Sequence, residues 1–407
     1  MIARHDGMVV LVAGAIPGEL VQARVERVER SMALATVTDV LEPHASRRVV
    51  DYDPACGGSV YAHIQGAQQR LLKGELVQDA LRRLARLPWE TPVPVSASDE
   101  RGYRMRARLH ARDGHAGFFL EGTHTLCDGR ATAQLLDGSW TAIDAVAAEL
   151  RHAGLSGEAD LELSENVAGD ERAIHVEFDP SASVRARDLR LTSPDVSGLS
   201  WSVRGAPRES IVAGSPLVVD VLPRPGDDAA PGVRLQRHVR AFFQGNRFLL
   251  GSLVDRVASS CLDGPVVDLY AGVGLFGVSL AARGASRVHA VEGHHASARD
   301  LRANASPYAD TLTVVEAPVE HYLASAPPLA GGTLVLDPPR TGMTRAAMTG
   351  ATRLGADRVV FVSCDVATFA RDVRAFVEAG YALDHVEAFD LFPNTAHVEV
   401  MARLTRA

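Results

Sequence analysis

Lysine is nearly missing from this chain: among 407 residues Lys73 is the single one, and arginine carries the rest of the fixed positive charge. An excess of arginine over lysine therefore says nothing by itself about phosphate binding. The net charge of -8 argues against indiscriminate coating of nucleic acid and leaves room for a local basic patch. Long apolar runs are lacking too, and none approaches the roughly 20 residues of a membrane helix. The opening "MIARHDGMVVLVAGAIPGE" is broken by Asp6, Gly7, Gly14 and Pro17, so it does not read as a signal peptide. Cysteine is scarce, with four widely scattered residues, and without an export signal this predicts a cytoplasmic chain with no disulfides. There are no internal repeats or low-complexity tracts. Apolar content of 46% and charged content of 23% are those of ordinary globular domains. The length suffices for two or three of them, because single cores rarely grow past roughly 250 to 300 residues.

Residues 8–45 read as short strands, "MVVLVAG", "LVQARVERVE" and "MALATVTDVLE", punctuated by a "PGE" turn, which predicts a small β-barrel. The segment "QGAQQRLLKGELVQDALRRLARL" follows as a helix with an expected apolar stripe at Leu71, Leu72, Leu76, Leu81 and Leu84, ended by Pro88, Pro92 and Pro94. From about 100 to 235 the pattern is mostly strand-like, as in "LELSE", "AIHVEFD" and "PLVVDVL", and it closes on the cluster "PRPGDDAAPG". Two stretches, "RGYRMRARLHAR" and "VRLQRHVRAFFQGNR", alternate arginine with apolar or aromatic residues. They suit strands with one wet face, which is either a plain solvated surface or one that meets phosphates.

After residue 236 the rhythm changes. The apolar runs "PVVDLY", "RVHAVEG", "LTVVEA", "TLVLDPP" and "RVVFVSC" alternate with helical segments, the signature of βαβ units and a parallel sheet buried on both faces. The last two runs, "YALDHVEAFDLF" and "HVEVMARL", are separated by "PNTA", too short for a helical crossover, so they predict an antiparallel hairpin. In "VVDLYAGVGLFGVSLA", Asp268, Gly272 and Gly274 sit at a strand-to-helix turn where glycines let the backbone approach a ligand. Glu292 ends the next strand, about 20 residues beyond the glycine loop, where an acid can hydrogen-bond two ribose hydroxyls. A glycine loop alone is weak evidence. Joined to that acid and the terminal hairpin, it favours an S-adenosylmethionine-dependent methyltransferase over a nicotinamide enzyme. Cys364, in "FVSCDVATFARD", closes a strand at the edge where open α/β sheets bind ligands, and is either an inert thiol or a nucleophile.

"LVLDPPRTGM", "FVSCDVATFARDV" and "DLFPNTAHVEVMARL" together resemble the RNA uracil-5-methyltransferase family, and "AFFQGNRFLLGSLV" looks like its "FFQ.N" segment. The resemblance implies an α/β fold in three parts: a TRAM domain, an OB-like barrel, at 1–47 that lacks its first strand; a helix plus a mostly β domain at 48–235; and a Rossmann-like, seven-stranded methyltransferase domain at 236–407. It implies methylation of carbon 5 of a uridine in structured ribosomal or transfer RNA, with Cys364 as nucleophile and Glu399 as base. It assigns S-adenosyl-L-methionine to Gln244, Asp268, Tyr270, Gly272, Gly274, Glu292 and Asp337. Arg340 could orient a carboxylate or a phosphate, and Phe242, Phe243 and Phe392 are candidate base platforms. Family members with an iron–sulfur cluster carry four cysteines around the signature that "ACGGS" resembles. Here Val50 and Ser59 stand at two of those positions and only Cys56 and Cys127 remain, so no cluster and no metal are expected. Nothing demands a dimer, and no membrane partner is expected. "EAPVE" has Ala317 and Pro318 where the family usually has an acid after the third strand. The competing reading is an RNA-binding homologue that no longer turns over. A cytosine-5 enzyme is disfavoured because "DPPR" holds no cysteine.

Overall fold

The computed structural model describes residues 1–206, 208–224 and 232–407. Most of the "PRPGDDAAPG" cluster lies outside the described residues.

Seven strands of the C-terminal half share one sheet, and we number them β1 (Val266–Leu269), β2 (Val288–Glu292), β3 (Leu312–Glu316), β4 (Thr333–Leu336), β5 (Arg358–Ser363), β6 (Tyr381–Phe389) and β7 (Glu399–Arg406). Their order is β3-β2-β1-β4-β5-β7-β6, and a two-residue strand, Val95–Ser96, pairs beyond β6, so the sheet has eight strands rather than the expected seven. β1 to β5 are parallel and joined through helices. Their β-branched runs are buried on both faces, against Phe369, Val373 and Phe376 on one side and Leu253, Phe276 and Val278 on the other. β7 runs antiparallel and inserts between β5 and β6. The strand order reverses between β1 and β4, and a crevice opens there at the carboxyl ends of the strands.

A second sheet of seven strands spans Arg106–Arg112 to Glu209–Gly214, with the helix Asp137–His152 laid on it through Trp140, Ile143, Val146 and Leu150. The strand-like reading of this region missed that helix, whose small residues "AVAA" weaken the periodic signal. Val233–His238 pairs with Leu217–Leu222 and also packs on the helix His295–Ala305, so a strand crosses the boundary expected at 235/236. The helix Gly66–Arg83 likewise belongs with the methyltransferase sheet: Val77, Ala80 and Leu81 share a core with Phe369 and Phe376. Its buried face is Gln69, Lys73, Gly74, Val77, Ala80 and Leu81, and the leucine stripe is not the inner one, since Leu71 is 54% exposed and Leu76 and Leu84 about as open. Tertiary partners, polar ones included, override the pattern of leucines.

The N-terminal strands form an open four-stranded sheet. The expected barrel does not close among the described residues: Ile2–His5 and Leu20–Val28 are its two unpaired edges. Ile2–His5 is a strand ahead of the three read from the sequence.

The expectation of no disulfide is overturned, because Cys56 and Cys127 are bonded to each other with Cα atoms 5.8 Å apart. The loop carrying Cys56 bridges to Leu120 and comes to rest beside the strand Leu126–Cys127. A separation of 71 residues hides that meeting in the sequence. Cutting this long loop's crosslink, by reductant or in Cys56→Ser/Cys127→Ser, is expected to lower unfolding free energy by roughly 2–4 kcal/mol. Denaturant titration with and without reductant measures it, and coincident curves would mean the sulfurs are not joined in solution.

Candidate active site

Glycines shape the floor of the crevice. After β1 the chain turns through Tyr270 (φ 62°), Gly272 (φ 58°) and Gly274 (φ 99°), a left-handed run that L side chains tolerate poorly. A Cβ at Gly272 would meet nothing within 4 Å, so this stretch of backbone is open to the crevice. Gly274 is different: a Cβ there would lie 2.5 Å from Val278 and 2.8 Å from Leu301, so this glycine lets the turn pack on its own helices. Asp268 is likewise one layer below, fully buried, with Oδ2 accepting the Gly277 amide at 2.8 Å. Both were assigned to the cofactor from sequence. Neither lines the cavity, because the loop's inner side is spent on holding the loop.

Glu292, at the end of β2, turns its carboxylate to the same loop, accepting the Gly272 amide at 2.8 Å and the His294 amide at 2.6 Å. Each oxygen retains acceptor capacity toward the cavity that Glu292 helps to line. Asp337 follows β4 and takes a 3.3 Å hydrogen bond from Gln244.

The register of the two antiparallel neighbours brings the remaining acid to the thiol. β5 and β7 pair Phe361 with Ala402, Val362 with Met401 and Ser363 with Val400. The ladder ends there: the chain bends at Cys364, just past β5, and Glu399 is the first residue of β7, so the two stand at the same end of the strand pair.

Apart from Asp268 and Gly274, these groups border one cavity of about 840 Å³ between the methyltransferase sheet and the seven-stranded sheet. Gln244, Tyr270, Gly272, Glu292, Asp337, Cys364 and Glu399 line it, joined by His294, Ser297 and Pro338, Pro339 and Arg340. From the other sheet come Arg104, Arg106, Arg108 and Glu162. The arginine-rich stretches therefore divide. Arg104, Arg106 and Arg240 face the cavity, whereas Arg237 is fully buried and paired with Asp220 at 2.7 Å. Phe243 is core, Phe392 half-buried at the wall, and Phe242 is 64% exposed with the Arg106 guanidinium 5.9 Å from its ring centre. His294, Ser297 and Glu162 were not found from sequence, since nothing local marks them.

Two of the cavity's acids, Asp337 and Glu399, are hard to ionise. Burial pushes Asp337 up to about 7, offset by the Gln244 amide. Burial and the Asp337 charge hold Glu399 well above the usual carboxylate range. Glu399 is 2% exposed, and its Oε1 has no partner among the described residues. Burial, then Glu399 and Asp337, push the Cys364 thiol up to about 11, while the Arg340 guanidinium beside it pulls the other way. Such a site is poised for a cation at its acidic end and for anions at its arginine-lined end.

A family model described as tRNA (Uracil-5-)-methyltransferase matches residues 329–407. The 23S rRNA (uracil(1939)-C(5))-methyltransferase RlmD of Alkalilimnicola ehrlichii is 32% identical over 100% of this chain and 93% of its own. That of Hahella chejuensis is 30% identical over 100% and 94%. The chain belongs to the RNA uracil-5-methyltransferase family. A crystal structure of the Pyrococcus abyssi tRNA (uracil-54, C5)-methyltransferase in complex with S-adenosyl-L-homocysteine shares the fold, with a TM-score of 0.73 at 23% identity over 98% of this chain and 96% of that one. Family membership accounts for the span of the likeness, which takes in the N-terminal sheet and the seven-stranded sheet as well as the catalytic half.

The environment of Cys364 has a measurable consequence. In RNA-free protein, alkylation of Cys364 by iodoacetamide should be slow at pH 7.5 and accelerate up to about pH 11, since the thiolate is the reactive form. Asp337→Asn removes a charge that raises the pKa and should speed the reaction at pH 8; Arg340→Ala should slow it. Peptide mass spectrometry separates Cys364 from Cys261, and the opposite order of the two variants would contradict this electrostatic picture.

Proposed function

We propose that this protein methylates carbon 5 of a uridine in structured RNA, ribosomal or transfer, with S-adenosylmethionine as donor. The observation that carries the proposal is the convergence of a thiol just past β5 and a carboxylate at the start of β7 on one cavity that also holds the glycine loop, with the Glu399 charge acting on Cys364. Carbon 5 of uracil is a poor nucleophile. Addition of the Cys364 thiolate to carbon 6 converts the ring to an enolate whose carbon 5 can attack an electrophile. S-adenosylmethionine, when bound, would supply the methyl group: its methyl–sulfur bond breaks as the bond to carbon 5 forms, and the electron pair stays on sulfur as the neutral thioether. Glu399 then takes the proton from carbon 5, the carbon 6–sulfur bond breaks, and the thiolate is restored.

The residues fit this donor. Gly272 leaves open backbone at the crevice, and Glu292 offers acceptors for ribose hydroxyls. Asp337 and Glu399 bring carboxyl groups whose ionisation burial opposes, and a sulfonium bound beside them would favour their charged forms. Gln244 orients Asp337, and Pro338 and Pro339, which lack backbone donors, stiffen the loop beneath the reacting groups. The target uridine has to leave its stack to meet a thiol at this depth. The arginines of the second sheet, Arg104, Arg106 and Arg108, line the entrance where phosphates of the strand would run. A four-thiolate iron–sulfur cluster does not fit: Cys56 and Cys127 are joined to each other, and Ser59 is turned to the Pro54 carbonyl at 3.2 Å. No step is assigned to one.

Transcripts of 23S ribosomal RNA and of transfer RNA, incubated with labelled S-adenosylmethionine, should yield 5-methyluridine at a single position in one of them. With 5-fluorouridine in place of uridine, carbon 5 carries no removable proton and the protein should remain joined to RNA through Cys364. Cys364→Ala should show neither product nor adduct, with rates down by at least about 10⁴-fold. Stable RNA binding without any 5-methyluridine from the parent protein would favour the non-catalytic homologue instead.

A further inference from the structure

The chain's one lysine is not on its surface. Lys73 is 1% exposed, and its ammonium reaches Asp390 Oδ1 at 2.5 Å and the Phe392 carbonyl at 3.1 Å. Both partners lie in the loop Asp390–Val398, which joins β6 to β7 and delivers Glu399 to the cavity. One helical turn earlier, Gln69 grips the same loop twice: its Oε1 accepts the Asn394 amide at 2.8 Å, and its Nε2 donates to Asn394 Oδ1 at 2.8 Å. Arg48 adds a 2.7 Å bond to that oxygen. Asn394 itself is in the left-handed region at φ 65°, a conformation the loop holds under these restraints.

A buried ion pair is a poor way to gain stability, because desolvation offsets the attraction and an apolar pair of similar volume often does as well. Burial raises the Asp390 pKa and lowers that of Lys73, as such a cost requires. What charged and amide groups supply, and methylenes do not, is direction. The tethered segment is the one whose geometry matters: Phe392 is part of the cavity wall, and Glu399 starts one residue after the loop ends.

We infer that Lys73 and Gln69 of the helix Gly66–Arg83 are positioning residues that clamp the Asp390–Val398 loop so that Glu399 meets the carbon 5 proton. This rests on the function proposed above. The chemistry separates the steps: addition of Cys364 to carbon 6 and methylation of carbon 5 precede proton removal. A displaced Glu399 therefore leaves methylated RNA still bonded to sulfur, because the carbon 6–sulfur bond cannot break until the carbon 5 proton has gone.

The test uses full-length protein and whichever of the 23S ribosomal or transfer RNA transcripts the parent methylates. Lys73→Met/Asp390→Leu replaces the ion pair by an apolar one, and Gln69→Leu cuts the second tether while leaving the pair intact. Both are expected to melt within a few degrees of the parent and to lose kcat roughly 10- to 100-fold, the effect of an ångström-scale displacement. The KM for S-adenosylmethionine should stay within about twofold. On ordinary uridine RNA both should accumulate a methylated Cys364–RNA complex, seen as a denaturation-resistant band and by mass. Should the double variant not fold, Gln69→Leu alone reads the same split. A parent-like kcat in a folded variant overturns the inference, as does a loss of kcat without the trapped complex, which would put the defect before proton removal. If the parent itself forms no Cys364 adduct on 5-fluorouridine RNA, the function proposed above fails, and that result is distinct from either.

Discussion

The site depends on one register. In a parallel sheet every strand ends on the same edge, so β1, β2, β4 and β5 deliver the glycine loop, Glu292, Asp337 and Cys364 to a single crevice. A sixth parallel strand would have brought another carboxyl end and another crossover helix. β7 instead runs backwards between β5 and β6, so its first residue, not its last, borders the crevice. With Ser363 paired to Val400, the proposed nucleophile and base each lie one residue beyond that last pair, at the same end of it, from positions 35 apart in sequence. Slipping β7 by one residue would turn Glu399 to the other face and bury the wrong set of apolar side chains, so the core that fixes the strand also fixes the pair.

Charge divides the cavity as sharply as the register assembles it. The methyltransferase side contributes Glu292, Asp337 and Glu399 with Arg340 among them, and the facing side contributes Arg104, Arg106 and Arg108 with Glu162. The fixed cost of the acidic end is visible in Asp337, pushed up to about 7 by burial, and in Glu399, which burial also raises. Carboxyl groups kept from ionising by a dry setting gain most from an incoming cation, and such a site discriminates against a neutral ligand of the same shape. The arginine side carries a desolvation cost of the same kind, since burial lowers the Arg104 pKa and pushes Arg106 down to about 10, and such cations gain most from an incoming anion. A net charge of -8 is thus no guide to the partner; the local separation is.

Much of this was legible in the sequence, and the failures have physical causes. Period and punctuation were enough for β1 to β7 and the terminal hairpin, because buried parallel strands are strongly patterned and a four-residue link forbids a crossover. The ordered motifs located Cys364, Asp337 and Glu399 on strand ends. What escaped was decided between distant segments. The leucines of the helix Gly66–Arg83, Leu81 excepted, mislead because its inner face includes Gln69 and Lys73, which bond a loop about 320 residues away, beside the small Gly74, Val77 and Ala80. Asp268 and Gly274 carry the right motif but act beneath the cavity, since a motif records identity and not which side of the loop a group serves. The Cys56–Cys127 bridge and the open N-terminal sheet likewise turn on pairings that no local pattern encodes.

The single lysine follows the same logic of choice between two cations. Elsewhere in the interior this chain uses arginine, whose fork suits several acceptors spread in a plane: Arg237 is held by Asp220 while its guanidinium lies 4.6 Å from the Phe243 ring centre, and Arg247 joins Glu165 to the Asn166 and Val167 carbonyls. Beneath the Asp390–Val398 loop the acceptors are a carboxylate and one carbonyl reached from a helix packed close against the sheet. A compact ammonium on a thin stem satisfies both without prising helix and loop apart, whereas a guanidinium brings five donors to a place with few acceptors and would leave some unpaired. The exception in composition thus marks a point where space, not charge, selects the residue, and it falls directly behind the strand that carries the proposed base.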